Sequence, residues 1–340
     1  MKKTVIFALL LYILAASAFA QLSFSGEAYA GFQVEKPFDQ DNIVSALHRK
    51  EGAPKFEFVA TAFRENYGIK FDTTFQTTIP FTLNGIYGWV DFLDSTIHLS
   101  MGKISDAKWV SSLDADHEIF FDKVTGFRVE YKTPLEGLNV GAAFRAEDIN
   151  FENMAKRIIL GASYVHYLLN AVVAYDMGRN ANFLFGFNFT GIDDLTSAGV
   201  QLLASNLATW DSESPGYGGE ILMNEKVGYR IMRPLTVSLL AEQKIHKNPL
   251  DPSDPDSDLD LLFQLTGSYR ILPVLTGSLS IGFGSPNKFN QTNFILKPCV
   301  EYSLKGPALF YVEYELNVND ISDKKQDNHR FGFGIDVKAF

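Results

Sequence analysis

The sequence predicts an all-β fold: a transmembrane, antiparallel, up-and-down β-barrel of about 18 strands, with 16 as the alternative count, behind a cleaved leader. Three observations carry that prediction. Segments of about ten residues repeatedly alternate apolar with polar side chains, the period of a pleated strand whose two faces meet different surroundings. Aromatic residues make up 14% of the chain, with 29 Phe and 14 Tyr. Yet beyond residue 20 there is no apolar run of the ~20 residues that a membrane helix needs. Finally, the single Cys299 cannot form an internal disulfide, so an exported chain of 340 residues must be held by its sheet. A large secreted sandwich or jelly roll is the alternative that alternation alone also permits.

Residues 1–20 read as a signal peptide. Met1-Lys2-Lys3 is basic, Val5 to Ala16 is an apolar run too short to span a bilayer, and Ala18-Phe19-Ala20 offers small residues to a peptidase. Cleavage after Ala20 leaves Gln21 first and no cysteine for a lipid anchor, and residues 21–340 form the barrel. The whole chain has 30 Lys and Arg against 40 Asp and Glu, and the leader holds two of those lysines and no acid. So acidic a mature chain argues against nucleic acid as a partner.

In order, the first strand is Leu22 to Phe32, with Leu22, Phe24, Ala28, Ala30 and Phe32 opposed to Ser23, Ser25, Glu27 and Tyr29. A long polar connection, Gln33 to Pro54, leads to Lys55 to Glu65 and Gly68 to Thr78, joined at Asn66-Tyr67. Ile86 to Phe92 and Thr96 to Lys103 follow, joined at Asp94-Ser95. The alternation resumes in Phe127 to Lys132 and Leu138 to Arg145 around a turn at Pro134 to Gly137. Beyond these lie Lys156 to His166, Asn170 to Met177 and Asn182 to Thr190, the last with Phe183, Phe185, Phe187 and Phe189 on one face. Thr196 to Asn206, Glu220 to Arg230, Leu235 to Lys244, Asp260 to Arg270 and Val274 to Gly284 come next. Asn293 to Leu304 contains Pro298, which removes a ladder donor and points to a bulge. In Ala308 to Val318 the residues Phe310, Val312 and Tyr314 oppose Tyr311, Glu313 and Glu315. His329 to Phe340 closes the ring. Every second connection is short and most of the others are long and polar, the asymmetry of periplasmic turns and outer loops, and an even count puts both termini inside.

Leu99-Ser100-Met101-Gly102-Lys103 resembles the pattern that precedes the constriction loop of bacterial outer-membrane porins. Gly126 to Tyr131 with Leu138 to Ala143 resembles the hairpin that follows that loop. The resemblance implies an outer-membrane channel of a diderm bacterium, water-filled and open to passive diffusion of small hydrophilic solutes and ions. It also implies that residues 105–122 fold inward, that Phe340 serves as the signal read by the barrel-assembly machinery, and that the barrel's outer partner is lipid. The chain departs from the family in two places. Lys338 and Asp336 share the phase of Phe340, and Ile79 to Gly85 is short where trimeric porins use a long latch, so a homotrimer is left open.

The candidate constriction sets Lys70, Arg128, Lys132, Arg145 and Arg157 on the lumen wall against Asp106, Asp114, Asp116 and Glu118 on the inward loop. Glu57, Asp72 and Glu130 are interleaved on the basic wall. Charges within about a Debye length of the path, some 8–10 Å, select ions, and the acid excess predicts a weak cation preference. His98 shares the lumen face with Ser100, but no acid lies on that strand to complete a hydrolase set, so no enzymatic activity and no cofactor are expected. Asp254, Asp256 and Asp258 cluster in an outer loop, a weak calcium candidate without the glycine turn and closing Glu of an EF-hand. A substrate-selective channel, for sugars or anions, is the near alternative. A surface adhesin or structural barrel, suggested by the long acidic outer loops, is the distant one.

Overall fold

The alternation resolves into strands along the chain. The computed structural model describes residues 21–37, 40–49, 52–77, 81–105, 124–146, 158–177, 182–191, 194–205, 207, 219–246, 259–285, 292–304, 308–319 and 327–339. The strands are β1 (Gln21–Lys36), β2 (Ile43–Ser45), β3 (Lys55–Arg64), β4 (Tyr67–Gln76), β5 (Thr82–Phe92), β6 (Ile97–Ile104), β7 (Val124–Lys132), β8 (Leu138–Arg145), β9 (Ile158–His166) and β10 (Leu169–Asp176). They continue as β11 (Asn182–Phe189), β12 (Leu195–Ser205), β13 (Glu220–Met232), β14 (Leu235–His246), β15 (Leu259–Leu272), β16 (Leu275–Ser285), β17 (Asn293–Ser303), β18 (Ala308–Val318) and β19 (Asp327–Ala339). From β3 to β19 each pairs antiparallel with its neighbours in sequence, and β1 closes the ring on β3 and β19. The three-residue β2 only extends the Gln33–Glu35 end of β1, so the wall has 18 strands. Closure leaves no free edge strand, which is how a sheet satisfies its backbone inside a bilayer.

Side-chain period then sorts the two faces. On β18 Phe310 is 39% exposed, whereas Tyr311 and Glu313 are 1% and 2% exposed. The register carries this phase to the neighbouring strands: Phe310 stands opposite Tyr302 and Ile335, and Val312 opposite Val300 and Phe333. On β11, Phe183, Phe185 and Phe187 lie beside Tyr175, Val173 and Ala171 of β10 and beside Ala204, Leu202 and Val200 of β12. The outward surface is therefore largely apolar and aromatic; Tyr67, Tyr131, Tyr229, Tyr269 and Tyr302 stand exposed close to the short turns as a girdle, and Tyr175 lies near the loop end. Cross-strand ring pairs such as Phe24 with Phe58 (5.9 Å) and Phe127 with Phe144 (5.3 Å) reinforce it.

Several local expectations need correction. Pro298 makes no bulge: the β17–β18 register is the same at Leu296↔Leu316 and at Cys299↔Glu313, and only the two rungs between are missing. A proline has no N–H to give, and the sheet tolerates that loss without slipping. Register shifts occur instead at Asp72/Thr73, Leu195/Ser197, Arg230/Met232 and Arg270/Leu272, the last three beside short turns. The turn expected at Asn66-Tyr67 is Glu65-Asn66, because Tyr67 already pairs with Arg64. The first strand runs on to Lys36, and the connection behind it is not simply an outer loop.

Candidate functional site

That connection enters the barrel. Gly31 of β1 and Gly334 of β19 are ladder partners and open a hollow in the inner wall. A Cβ on Gly31 would come within 2.5 Å of the Leu47 carbonyl oxygen and 2.8 Å of His48 Cα; one on Gly334 would come within 2.5 Å of the Tyr311 hydroxyl. His48, 2% exposed, fills the hollow with its Nε2 2.5 Å from Asp336 Oδ1. Its ring packs against Tyr29 (5.3 Å) and edge-on against Tyr311 (5.2 Å).

Arg49 fastens the loop to the next two strands. Its backbone N–H donates to the Tyr311 hydroxyl at 2.9 Å, Nη1 donates to Cys299 Sγ at 3.2 Å and Nη2 to Glu301 Oε1 at 2.6 Å. The guanidinium carbon lies 4.0 Å from the centre of the Tyr311 ring, a cation–π contact. Burial opposes the charge on Arg49, but Glu301, Cys299 and Glu313 together offset it, so the guanidinium pKa lies above its ordinary value. A charge-assisted hydrogen bond of this kind contributes about 1.5–3 kcal/mol. Sequence reading assigned no role to Gln33–Pro54 and had no signal for one, since Arg49 and Glu301 are 252 residues apart.

Of the wall cations expected at a constriction, Lys70, Arg128, Lys132 and Arg145 all fall on the inner phase. Arg128 is buried, with Nε 2.7 Å from Glu130 Oε1. Arg145 Nη1 lies 2.9 Å from Asp176 Oδ2 at the loop end of the wall. Lys70 Nζ is 6.0 Å from the centre of the Tyr87 ring. Lys132 is exposed beside the turn that follows β7, so it lines the turn-side mouth. On the other side of the closure, Lys297 Nζ bridges Glu313 (3.3 Å) and Glu315 (3.4 Å), and Arg330 also donates to Glu315. Opposite charges thus sit side by side along the same stretch of wall. Arg157, Asp106, Asp114, Asp116, Glu118, Asp254, Asp256, Asp258 and Phe340 lie outside the described residues.

The histidine that lacked an acid on its own strand finds one on the next. His98 Nδ1 is 2.7 Å from Asp91 Oδ1 and its Nε2 is 2.9 Å from Ser100 Oγ. Asp91 stands directly opposite His98 across the β5–β6 ladder, a relation that spacing along one strand cannot reveal. The order acid, imidazole, hydroxyl is that of a hydrolase relay. Ser100, however, is 0% exposed, with Trp89 and Arg128 as its ladder partners, so its hydroxyl is closed to a substrate. A second stretch of wall, richer in carboxamides, lies on β11–β14, with the Lys244–Glu220 ion pair (3.1 Å) at its loop end. There Asn188, Ser197, Gln201, Asn224 and Lys226 surround Gly199 in a hollow of about 80 Å³.

No protein-family profile and no curated protein sequence matches the chain. Solved structures do. The outer membrane protein OprD from Pseudomonas aeruginosa aligns with a TM-score of 0.62 at 14% identity, over 94% of this chain and 93% of that one. OccK10 (OpdN) of the same organism gives 0.63 at 12% identity over 93% and 99%. OccAB1 of Acinetobacter baumannii gives 0.60 at 12% over 94% and 97%. At such identities the likeness is one of fold, and it extends over nearly the whole of each chain.

Proposed function

We propose that this barrel is an outer-membrane channel that passes small hydrophilic solutes and selects among them by charge and hydrogen bonding. The observation that carries the reading is the inner face itself. It holds Arg128 with Glu130, Arg145 with Asp176, and Lys297 and Arg330 with Glu313 and Glu315, behind an outer face that is apolar. Charged pairs of this density suit a wall wetted by solvent, and a ring of 18 strands is too wide for side chains to fill. The latched connection at His48 and Arg49 narrows the lumen beside β17–β19. A solute in transit therefore meets ion pairs beside the latch and, on β11–β14, the carboxamides of Asn188, Gln201 and Asn224 next to Lys226 and the Lys244–Glu220 pair. That mixture of fixed charges and hydrogen-bonding groups supports a selective channel over a general sieve. OprD, which shares the fold, is an outer membrane protein. Insertion by the barrel-assembly machinery belongs to the same reading, and hydrolysis does not, because the Ser100 hydroxyl is enclosed.

The test is swelling of liposomes that contain the purified chain, in sugars and in organic anions and cations of matched size. Unequal rates for solutes of equal size are expected. Rates that depend on size alone would reduce the protein to a general sieve, and no swelling would favour the adhesin or structural barrel.

A further inference from the structure

The seam where the ring closes is interrupted. β1 pairs with β3 from Gln21 to Tyr29 and with β2 from Gln33 to Glu35, so on that side Ala30, Gly31 and Phe32 have no ladder partner. The chain that would have continued the wall turns inward there, and Leu47 and His48 lie against the inner side of Gly31. On the outer side the same place is a hollow of about 430 Å³. Its floor is Ala28 and Ala30, whose side chains are single methyls, and its flanks are Phe56 with Phe75 and Ile335 with Val337. All six belong to the outward phase, and the rings of Phe56 and Phe75 stack at 6.3 Å. Pro54, Gln76 and Thr77 bound the hollow toward the loops. From it an apolar track climbs the β1–β19 ladder: Ala30 opposite Ile335, Phe32 opposite Phe333, Val34 opposite Phe331, and then Lys36 opposite His329. Lys36 is exposed and makes no ion pair among the described residues. His329 Nδ1 lies 2.6 Å from the Tyr314 hydroxyl, and with that hydroxyl donating, Nε2 carries a proton to give. Asp327, the acid of this phase on β19, lies two residues beyond that rung. Ala30 is eight residues above Leu22. For a strand tilted by about 40° that is ~20 Å along the membrane normal, in the loop-side half of an apolar band ~25 Å tall, and Lys36 stands ~15 Å higher, at the level of the headgroups.

We propose that this hollow is the binding site of a membrane lipid with a phosphorylated headgroup. One acyl chain fills the space over Ala28 and Ala30, and the phosphate rests on the Lys36 ammonium and the His329 Nε2–H. The occupant follows from the shape and the chemistry together. Water in so apolar a recess would lack hydrogen-bond partners, and an empty recess would forfeit the contacts of its lining, whereas the hydrocarbon around the barrel can enter as a chain. A second barrel cannot take its place, because a convex wall does not reach a floor of alanines set between phenylalanine rings. The rung at the top of the track says which lipid is held, since an ammonium and an imidazole N–H side by side bind a phosphate through charge-assisted hydrogen bonds. The apolar pairs between that rung and the hollow carry the rest of the chain. The inference rests on the membrane reading above and is independent of which solute passes.

The test is native mass spectrometry of the full chain, folded in detergent micelles and titrated with dioleoyl phosphatidylglycerol, with the diacylglycerol of the same chains and with glycerol phosphate. One phosphatidylglycerol should bind ahead of any others, the diacylglycerol about tenfold more weakly, and glycerol phosphate should not compete. Ala30→Phe puts a ring into the hollow and should cut the binding of both lipids by about tenfold or more. Lys36→Gln should weaken phosphatidylglycerol alone. Ala142→Phe, outward on β8 and away from the seam, should leave every value unchanged. Heat-modifiable migration in gels reports barrel assembly separately for each variant. A folded Ala30→Phe variant that binds as the parent does, a series of equal weak adducts in place of one tight lipid, or competition by glycerol phosphate overturns the proposal. Lys36→Gln with its preference for phosphatidylglycerol intact overturns the headgroup assignment. A chain that inserts into phosphatidylglycerol vesicles and holds no lipid overturns this inference alone, and one that never inserts overturns the membrane reading as well.

Discussion

Arg49 reaches two strands at once, and its side chain holds the first connection inside the barrel. Replacing it with Ala removes the Glu301 bond and the stack on Tyr311, a loss of about 1.5–3 kcal/mol to the seated loop. Because the barrel ladder does not pass through Arg49, Arg49→Ala should leave assembly intact. It should also release the loop, raising single-channel conductance and current noise. Unchanged conductance would mean that the connection does not narrow the path. Gly31→Val approaches the same contact from the wall, since even a Cβ there collides with the Leu47 carbonyl oxygen at 2.5 Å, and it should give the same electrical signature. None of this was legible from spacing along the chain. The Asp91 partner of His98 escaped for a related reason: a ladder joins residues whose spacing depends on a turn, and only the folded sheet makes them neighbours.

At the scale of the strand, the period-2 pattern was nearly sufficient. The facing of Phe183, Phe185 and Phe187, of Phe310, Val312 and Tyr314, and of Lys70, Arg128, Lys132 and Arg145 could all be read from alternation, because each strand lies between lipid and water and has one apolar face. Adjacent residues on β11 check it. Phe187→Arg puts a charge on the outward face and should cost about 2–4 kcal/mol near mid-membrane, whereas Asn188→Arg, inside the lumen, should cost within ~0.5 kcal/mol. Urea-induced unfolding in lipid vesicles measures both, and equal losses would contradict the facing. What alternation missed were interruptions that leave no mark in the pattern, such as the register shifts at Arg230/Met232 and Arg270/Leu272. It also overread Pro298, where the sheet gave up two rungs and kept its register.

For the molecule as a whole, closure depends on β19, which pairs with β18 along its length and with β1 from Gly26 to Lys36. Deleting His329–Phe340 removes the partner of two strands and leaves unpaired backbone in the bilayer, a penalty no side-chain contact can offset. The truncated chain should fail to reach the membrane and should be degraded by added protease; normal membrane levels would disprove the closure. The closed ring also gives the inner face its meaning, for only a wall with no open side can keep ion pairs wet while its back meets lipid. The central claim, a water-filled lumen, is tested most directly by single-channel recording of the purified, heat-modifiable barrel in a planar bilayer. The account predicts stepwise current increments that grow with the bulk salt concentration, and folded protein that inserts without any steps would contradict it.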